Sequence, residues 1–212
     1  MDLNKIAAID IGSNAVRMLI SYVIKDDKGN LYFQKNSYLR LPLRLGEDSF
    51  KSKSISKIKI DTLVNAINSM KYIMKVHDVK YYLAYATSAL REAKNSDNVM
   101  SKVKNETGIE IEIIDGLKEA RIISNAKPIE KNNPFRINLY VDVGGGSTEL
   151  SFVQNGEKTI SKSFNIGTVR DLNKKNKNDV WDDIKTWIKD HLDSSFKLKL
   201  YGTGGNINKI QF

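Results

Sequence analysis

The sequence predicts an α/β protein with mixed sheets, built by internal duplication. Three observations predict it. Apolar, β-rich runs alternate with segments whose apolar residues recur every three or four positions. The opening IAAIDIGSNAVRMLISYVIKDDKGNLYFQKNSY is mirrored by NLYVDVGGGSTELSFVQNGEKTISKSFNIG. Each copy has an apolar run ending in Asp, a Gly-Ser turn, a second strand, a Gly-containing hairpin turn and a third strand, which reads as a repeat. Finally, three Gly-rich turns follow apolar strands: DIGSN at 10–14, DVGGGST at 142–148 and YGTGGN at 201–206.

The elements follow in order. KIAAIDI is a buried strand broken by GSN; AVRMLISYVI and LYFQKNSYLRL are strands joined through DDKGN. Ile60, Leu63, Val64, Ile67, Met70, Ile73 and Met74 mark one face of a helix, with Ser56 as its N-cap. Its Met-rich stripe reads as core. VKYYLAYAT is a strand, TSALREAKNSDNVMSKVKNETG one or two helices ending at Gly108, and IEIEIID a strand. GLKEARIISNA opens another helix. The Pro- and Asn-containing AKPIEKNNPFRI then reads as a connection between domains, giving domains 1–126 and 127–212. In the second domain, Val180, Ile184, Trp187, Ile188, His191 and Leu192 form a helix face, and LKLYGT is the strand before GGN. His77 and His191 read as helix-end and core-edge residues.

Composition narrows the class. The 212 residues are 41% hydrophobic and 28% charged, as in ordinary globular proteins, with room for one large or two small domains. No apolar run approaches the ~18 residues of a membrane span. The N-terminus turns polar too early for a signal peptide, so a cytoplasmic location is the default expectation. There are no cysteines, which excludes disulfides and thiolate metal sites. The net charge of +9 suits an anionic partner, although scattered lysines also serve solubility. Aromatic and basic residues do not interleave as in single-strand binders, so nucleic acid is not the expected partner.

Glycine has no side chain to bury and loses more backbone entropy than other residues on ordering. Gly144, Gly145 and Gly146 in a row therefore point to something that must approach the backbone closely. A turn of small residues after a strand leaves N–H groups facing outward, and such a nest holds anions, phosphate above all. Two such turns at equivalent places of a repeat can clamp a phosphate chain. The carboxylates Asp10, Asp142 and Glu149 suggest a hard cation, Mg²⁺ being the one that combines a few carboxylates with waters and phosphate oxygens. Each Asp capping its own turn is the alternative.

Five segments, IDIGSNAVRMLI, YATSALREAKN, IIDGLKEARII, VDVGGGSTEL and YGTGGNI, occur in this order over nearly the whole chain. Together they resemble the exopolyphosphatase / guanosine pentaphosphate phosphatase family of the actin-like ATPase superfold. The resemblance implies two actin-like (ribonuclease H-like) domains with mixed sheets around a central cleft, the second short or truncated. It implies Mg²⁺-dependent hydrolysis of phosphoric anhydrides, releasing terminal orthophosphate from polyphosphate or guanosine pentaphosphate. Glu119, in KEAR, matches the general base that activates water. Arg91 matches an arginine that reaches phosphate through its fork of donors. For Arg17, reaching phosphate and lying at the surface are both open. Ser13, Asn14, Gly144, Gly145, Gly146 and Ser147 would hold phosphate oxygens; Gly204, Gly205 and Asn206 match the nucleotide-contacting turn of the superfold. Lys118 departs from the family, which usually has an acidic residue there. A homodimer is a further expectation. Two other functions stay in view: a non-catalytic polyphosphate or nucleotide sensor, and a kinase of the same superfold, against which the water-activating motif argues.

Overall fold

The computed structural model describes residues 4–125, 136–154, 157–170, 174–192 and 197–204. The chain divides into two compact units, residues 1–114 and 115–212. This division falls before the KEAR helix, not after it at residue 126, because that helix packs on strands of the second unit.

The first unit runs β1 (Asn4–Ile11), β2 (Val16–Lys25), β3 (Leu31–Leu41), α1 (Leu45–Ser52), α2 (Lys57–Val76), β4 (Val79–Ala86), α3 (Ser88–Glu92), α4 (Ser96–Thr107) and β5 (Glu112–Ile113). Its sheet has the order β3-β2-β1-β4-β5. The β1–β2 and β2–β3 pairs are antiparallel; β4 runs parallel to β1 and to β5. Period-two alternation turns Ala7, Ile9 and Ile11 of β1, and Val16, Met18 and Ile20 of β2, to one face. There they meet Leu63, Val64, Ile67 and Met70 of α2, with Leu90, Val99 and Val103 completing the core. Each buried Val, Leu, Ile or Met among them contributes about 1.5–3 kcal/mol by leaving water.

The helix face anticipated on α2 is buried, with Ile73 partly so. Ser56 stands at its N-cap, but its side chain makes no cap bond; its backbone N–H instead donates to Asp48 Oδ2 at 2.9 Å. Residues 87–108 form two helices, and Gly108, at φ 71°, ends the second. The strand expected at 109–115 shortens to two residues. Helix α1 was not anticipated: eight residues between left-handed Arg44 and Lys53 carry too little periodicity to announce it.

The second unit runs α5 (Gly116–Asn125), β6 (Arg136–Val143), β7 (Thr148–Gln154), β8 (Glu157–Phe164), α6 (Lys174–His191) and β9 (Lys197–Thr203). Its sheet order is β8-β7-β6-β9, with β9 parallel to β6 and the other pairs antiparallel. The two sheets thus share a plan, and the repeat is exact in register. Asp10 lies opposite Arg17 across the first turn, as Asp142 lies opposite Glu149 across the second. The core centres on Trp187 of α6, stacked on Phe152 at 5.2 Å and met edge-on by Phe164 at 5.9 Å. A cavity of about 550 Å³ opens beside it, lined by residues such as Leu139, Leu150, Trp181 and Ile188. His77 is the C-cap residue of α2, and His191 closes α6 with Nδ1 2.7 Å from the Trp187 carbonyl oxygen.

Candidate functional site

The triple-glycine turn joins β6 to β7. Gly144 N–H donates to Ser147 O at 2.9 Å and closes it. A Cβ on Gly144 would lie 3.0 Å from that same oxygen. Its backbone is not left-handed: among the described glycines only Gly29, Gly108 and Gly204 have positive φ. Close packing therefore explains the glycines better than an unusual dihedral. The packing partner is the segment after β8. Thr168 N–H donates to Gly144 O at 3.1 Å, Val169 and Arg170 N–H to Gly145 O at 2.8 and 3.1 Å, and Arg170 Nε to Gly146 O at 2.5 Å. No described peptide is cis, and in a trans peptide the N–H points opposite its own C=O. Because three successive carbonyls turn toward 168–170, the N–H groups of Gly145, Gly146 and Ser147 turn away from it. That leaves three backbone donors on the side away from the clamp, the kind of group with which a turn can meet an anion.

The first unit repeats the device. Gly12 N–H donates to Ala15 O at 3.1 Å, and the segment after β3 takes the next carbonyls: Gly46 N–H to Ser13 O at 2.8 Å and Arg44 N–H to Asn14 O at 2.9 Å. The N–H groups of Asn14 and Ala15 face away accordingly. Helix α1, missed from sequence, begins on this contact; a Cβ on Gly46 would meet Ser13 Cβ at 3.0 Å. The Ser13 hydroxyl is buried against Ser88 Oγ at 2.9 Å, so this turn offers backbone rather than that side chain.

The charges beside the two turns differ. In the first unit Asp10 is ion-paired with Arg17 at 2.9 Å, both partly exposed. In the second, the position equivalent to Arg17 is Glu149, only 3% exposed, directly across from Asp142. Glu149 Oε1 accepts from Ser163 Oγ at 2.8 Å, and Asp142 Oδ1 accepts from Thr203 Oγ1. As direct cross-strand partners the two carboxylates lie on one face of the sheet. Two hard oxygen donors in this arrangement fit a Mg²⁺ ion whose other positions are waters or phosphate oxygens. Asp10, expected with them, lies in the first unit and is held by Arg17. Among the described residues no group of three or more His, Asp and Glu side chains is placed to hold one ion.

Glu119 lies in the first turn of α5, half-buried, with Oε2 fully buried. Asp115 starts this helix: its Oδ1 accepts from Lys118 N–H at 2.7 Å and its carbonyl from Glu119 N–H at 3.0 Å. The helix packs on the same sheet face as the carboxylate pair, because a Cβ on Gly116 would meet Ser163 Cβ at 2.6 Å. Ser163 is thus shared between the base of α5 and Glu149. Arg91, on α3, donates from Nη1 to Ile114 O at 2.7 Å. Gly204, at φ 106°, abuts the end of β6, where a Cβ would lie 2.2 Å from Val143 O; Gly205 and Asn206 lie outside the described residues. Sequence reading missed Arg170, Thr168, Ser163 and Thr203. One signal existed for the first two: they follow the third strand of the repeat, as Arg44 and Gly46 do.

Two units of the same β-sheet plan, each with a carbonyl-clamped glycine turn between its first two strands, define an actin-like α/β protein. The crystal structure of an exopolyphosphatase from Cytophaga hutchinsonii is similar with a TM-score of 0.80 at 22% identity, over 98% of this chain and 69% of that one. An Aquifex aeolicus Ppx/GppA enzyme is similar with a TM-score of 0.72 at 25% identity, over 97% and 69%. The model of the Ppx/GppA phosphatase family matches residues 23–189, and the chain belongs to that family. Exopolyphosphatase 1 of Mycobacterium leprae is 33% identical over 168 residues, 78% of this chain and 48% of that protein. The bifunctional 3-dehydroquinate synthase/phosphatase of Fusobacterium nucleatum is 38% identical over 170 residues, 77% of this chain and 25% of that protein. The chain therefore spans about half the length of the exopolyphosphatase relative and a quarter of the bifunctional one. Among the described residues no helix is long and apolar enough to cross a membrane.

Proposed function

We propose that this chain is a phosphohydrolase that releases terminal orthophosphate from inorganic polyphosphate or guanosine pentaphosphate, using water activated by Glu119. The observation that carries the reading is the clamped 144–146 turn, its three N–H groups turned away from the clamp, beside the Asp142–Glu149 pair. The similarity to an exopolyphosphatase and to a bifunctional synthase/phosphatase supports the reaction class. Backbone N–H groups would bind the phosphate oxygens and orient the anhydride, because they are fixed donors that need no reorganisation. Asp142 and Glu149 would hold Mg²⁺, which when bound supplies charge neutralisation at the phosphate oxygens. Glu119 would accept the proton of the attacking water. Arg91, of the first unit, would offer its planar donors to phosphate.

The test is phosphate release measured side by side on long-chain polyphosphate and guanosine pentaphosphate, with and without Mg²⁺. Release from either, without an added acceptor, supports a hydrolase and excludes a kinase. The variant Asp142→Asn should weaken metal dependence and turnover together. Tight polyphosphate binding without release would replace this reading with the sensor; an unchanged magnesium titration in Asp142→Asn would remove Asp142 from the site.

A further inference from the structure

We infer that Arg170 is a positioning residue of the proposed phosphate site, acting through the hydrogen bond its Nε donates to the turn rather than by pairing its charge with the phosphate. The inference rests on the reading of the 144–146 turn as the phosphate nest. Three peptide planes must be turned the same way for three N–H groups to face one side. Two are turned by backbone donors, Thr168 N–H for the Gly144 carbonyl and Val169 and Arg170 N–H for that of Gly145. The third, the Gly146–Ser147 plane, is turned by a side chain: Arg170 Nε, 2.5 Å from Gly146 O. Without it, nothing else described on the clamp holds that carbonyl, and the Ser147 N–H loses its fixed direction.

The segment is seated for this task. A Cβ on Gly167 would lie 2.5 Å from Gly145 O, so glycine there lets the clamp lie directly on the turn. Thr148 Oγ1 donates to Ile166 O at 2.7 Å and ties the segment to the first residue of β7. The first unit has the same plan after its own third strand, where Gly46 N–H takes Ser13 O. There, however, Asn14 O is held by a backbone donor, Arg44 N–H, at 2.9 Å. Of these two turns, the second depends on a side chain for its last carbonyl, which is where a single substitution can loosen it.

Two substitutions separate hydrogen bond from charge. In Arg170→Gln the side-chain amide nitrogen occupies the place of Nε, so a donor stays while the charge goes. In Arg170→Met the shape is similar and the donor is gone. Inorganic tripolyphosphate is titrated into the wild type and both variants, with Kd read by calorimetry and the Gly145, Gly146 and Ser147 amides followed by NMR. Expected are wild-type-like binding, within about threefold, for Arg170→Gln and at least about tenfold weaker binding for Arg170→Met, the scale of one lost hydrogen bond. The Ser147 amide should shift on titration in the wild type and Arg170→Gln, and be broadened in free Arg170→Met at an unchanged melting temperature. If Arg170→Met binds as the wild type does, the inference is overturned. Equal weakening in both variants also overturns it, because charge would then be what Arg170 contributes. A wild type that gives no titration overturns the phosphate reading itself, and this inference with it.

Discussion

Gly204 combines a left-handed backbone, φ 106°, with a Cβ position 2.2 Å from the carbonyl oxygen of Val143. An L side chain there is strained by its dihedral and displaced by backbone that cannot yield easily. Gly204→Ala should cost about 1–3 kcal/mol for the backbone strain alone, read by chemical denaturation. A loss below about 0.5 kcal/mol would show that β9 can shift away from β6. Glu119 carries the other residue-scale prediction. A base that orients water acts in the transition state, so Glu119→Gln should lower kcat by about 10²–10⁴-fold. Polyphosphate affinity should hold or improve, since a negative charge near an anionic substrate is removed. Turnover equal to the wild type would show that the carboxylate is not the base.

At the scale of elements, the junction of α1 and α2 depends on Asp48. Burial raises its carboxyl, but the hydrogen bond from Ser56 and the Lys59 ammonium at 3.2 Å outweigh it, and the net shift is downward from 3.8. A carboxylate with a lowered folded value stabilises above its ordinary range, and that contribution disappears as pH falls through the folded value. Asp48→Ala should therefore cost about 1 kcal/mol at pH 7, the scale of one net hydrogen bond to a partly exposed group. The gap to the wild type should close as pH drops below 3.8. Denaturation curves at pH 7 and pH 3 check this; a gap that persists undiminished at low pH would mean that lost packing, not charge, is what the alanine removes.

The whole molecule has two hydrophobic cores, one per unit. Both tryptophans of the chain, Trp181 and Trp187, lie on α6 of the second unit. Tryptophan fluorescence thus reports that unit alone, while circular dichroism reports both. Leu63 is fully buried under the first sheet, and Leu63→Ala should destabilise by about 2–5 kcal/mol through lost transfer and a cavity. The dichroism transition should move to lower temperature with the fluorescence transition unchanged. Equal shifts in both signals would show that the units unfold as one cooperative block.

The sequence by itself determined the duplication, most strands and the helix face of α2, because period two and period 3.6 are local signals written in every few residues. KIAAIDI, AVRMLISYVI and LYFQKNSYLRL became β1 to β3 almost to the residue. It also singled out the glycine turns, since nothing but close approach justifies three glycines in a row. Tertiary structure alone decided what those glycines approach and which charges meet. Arg170 and Gly145 are 25 positions apart, and their contact depends on β8 returning beside β7, a pairing whose closeness no local pattern encodes. Arg17 and Glu149 look unrelated in the sequence until strand register places each across from an Asp. One turn then carries an Asp–Arg pair, while the other carries two carboxylates directly across from each other. Helix α5 moved to the second unit for the same reason: a helix follows from local periodicity, but its sheet is chosen by the surface that fits it, here Gly116 against Ser163.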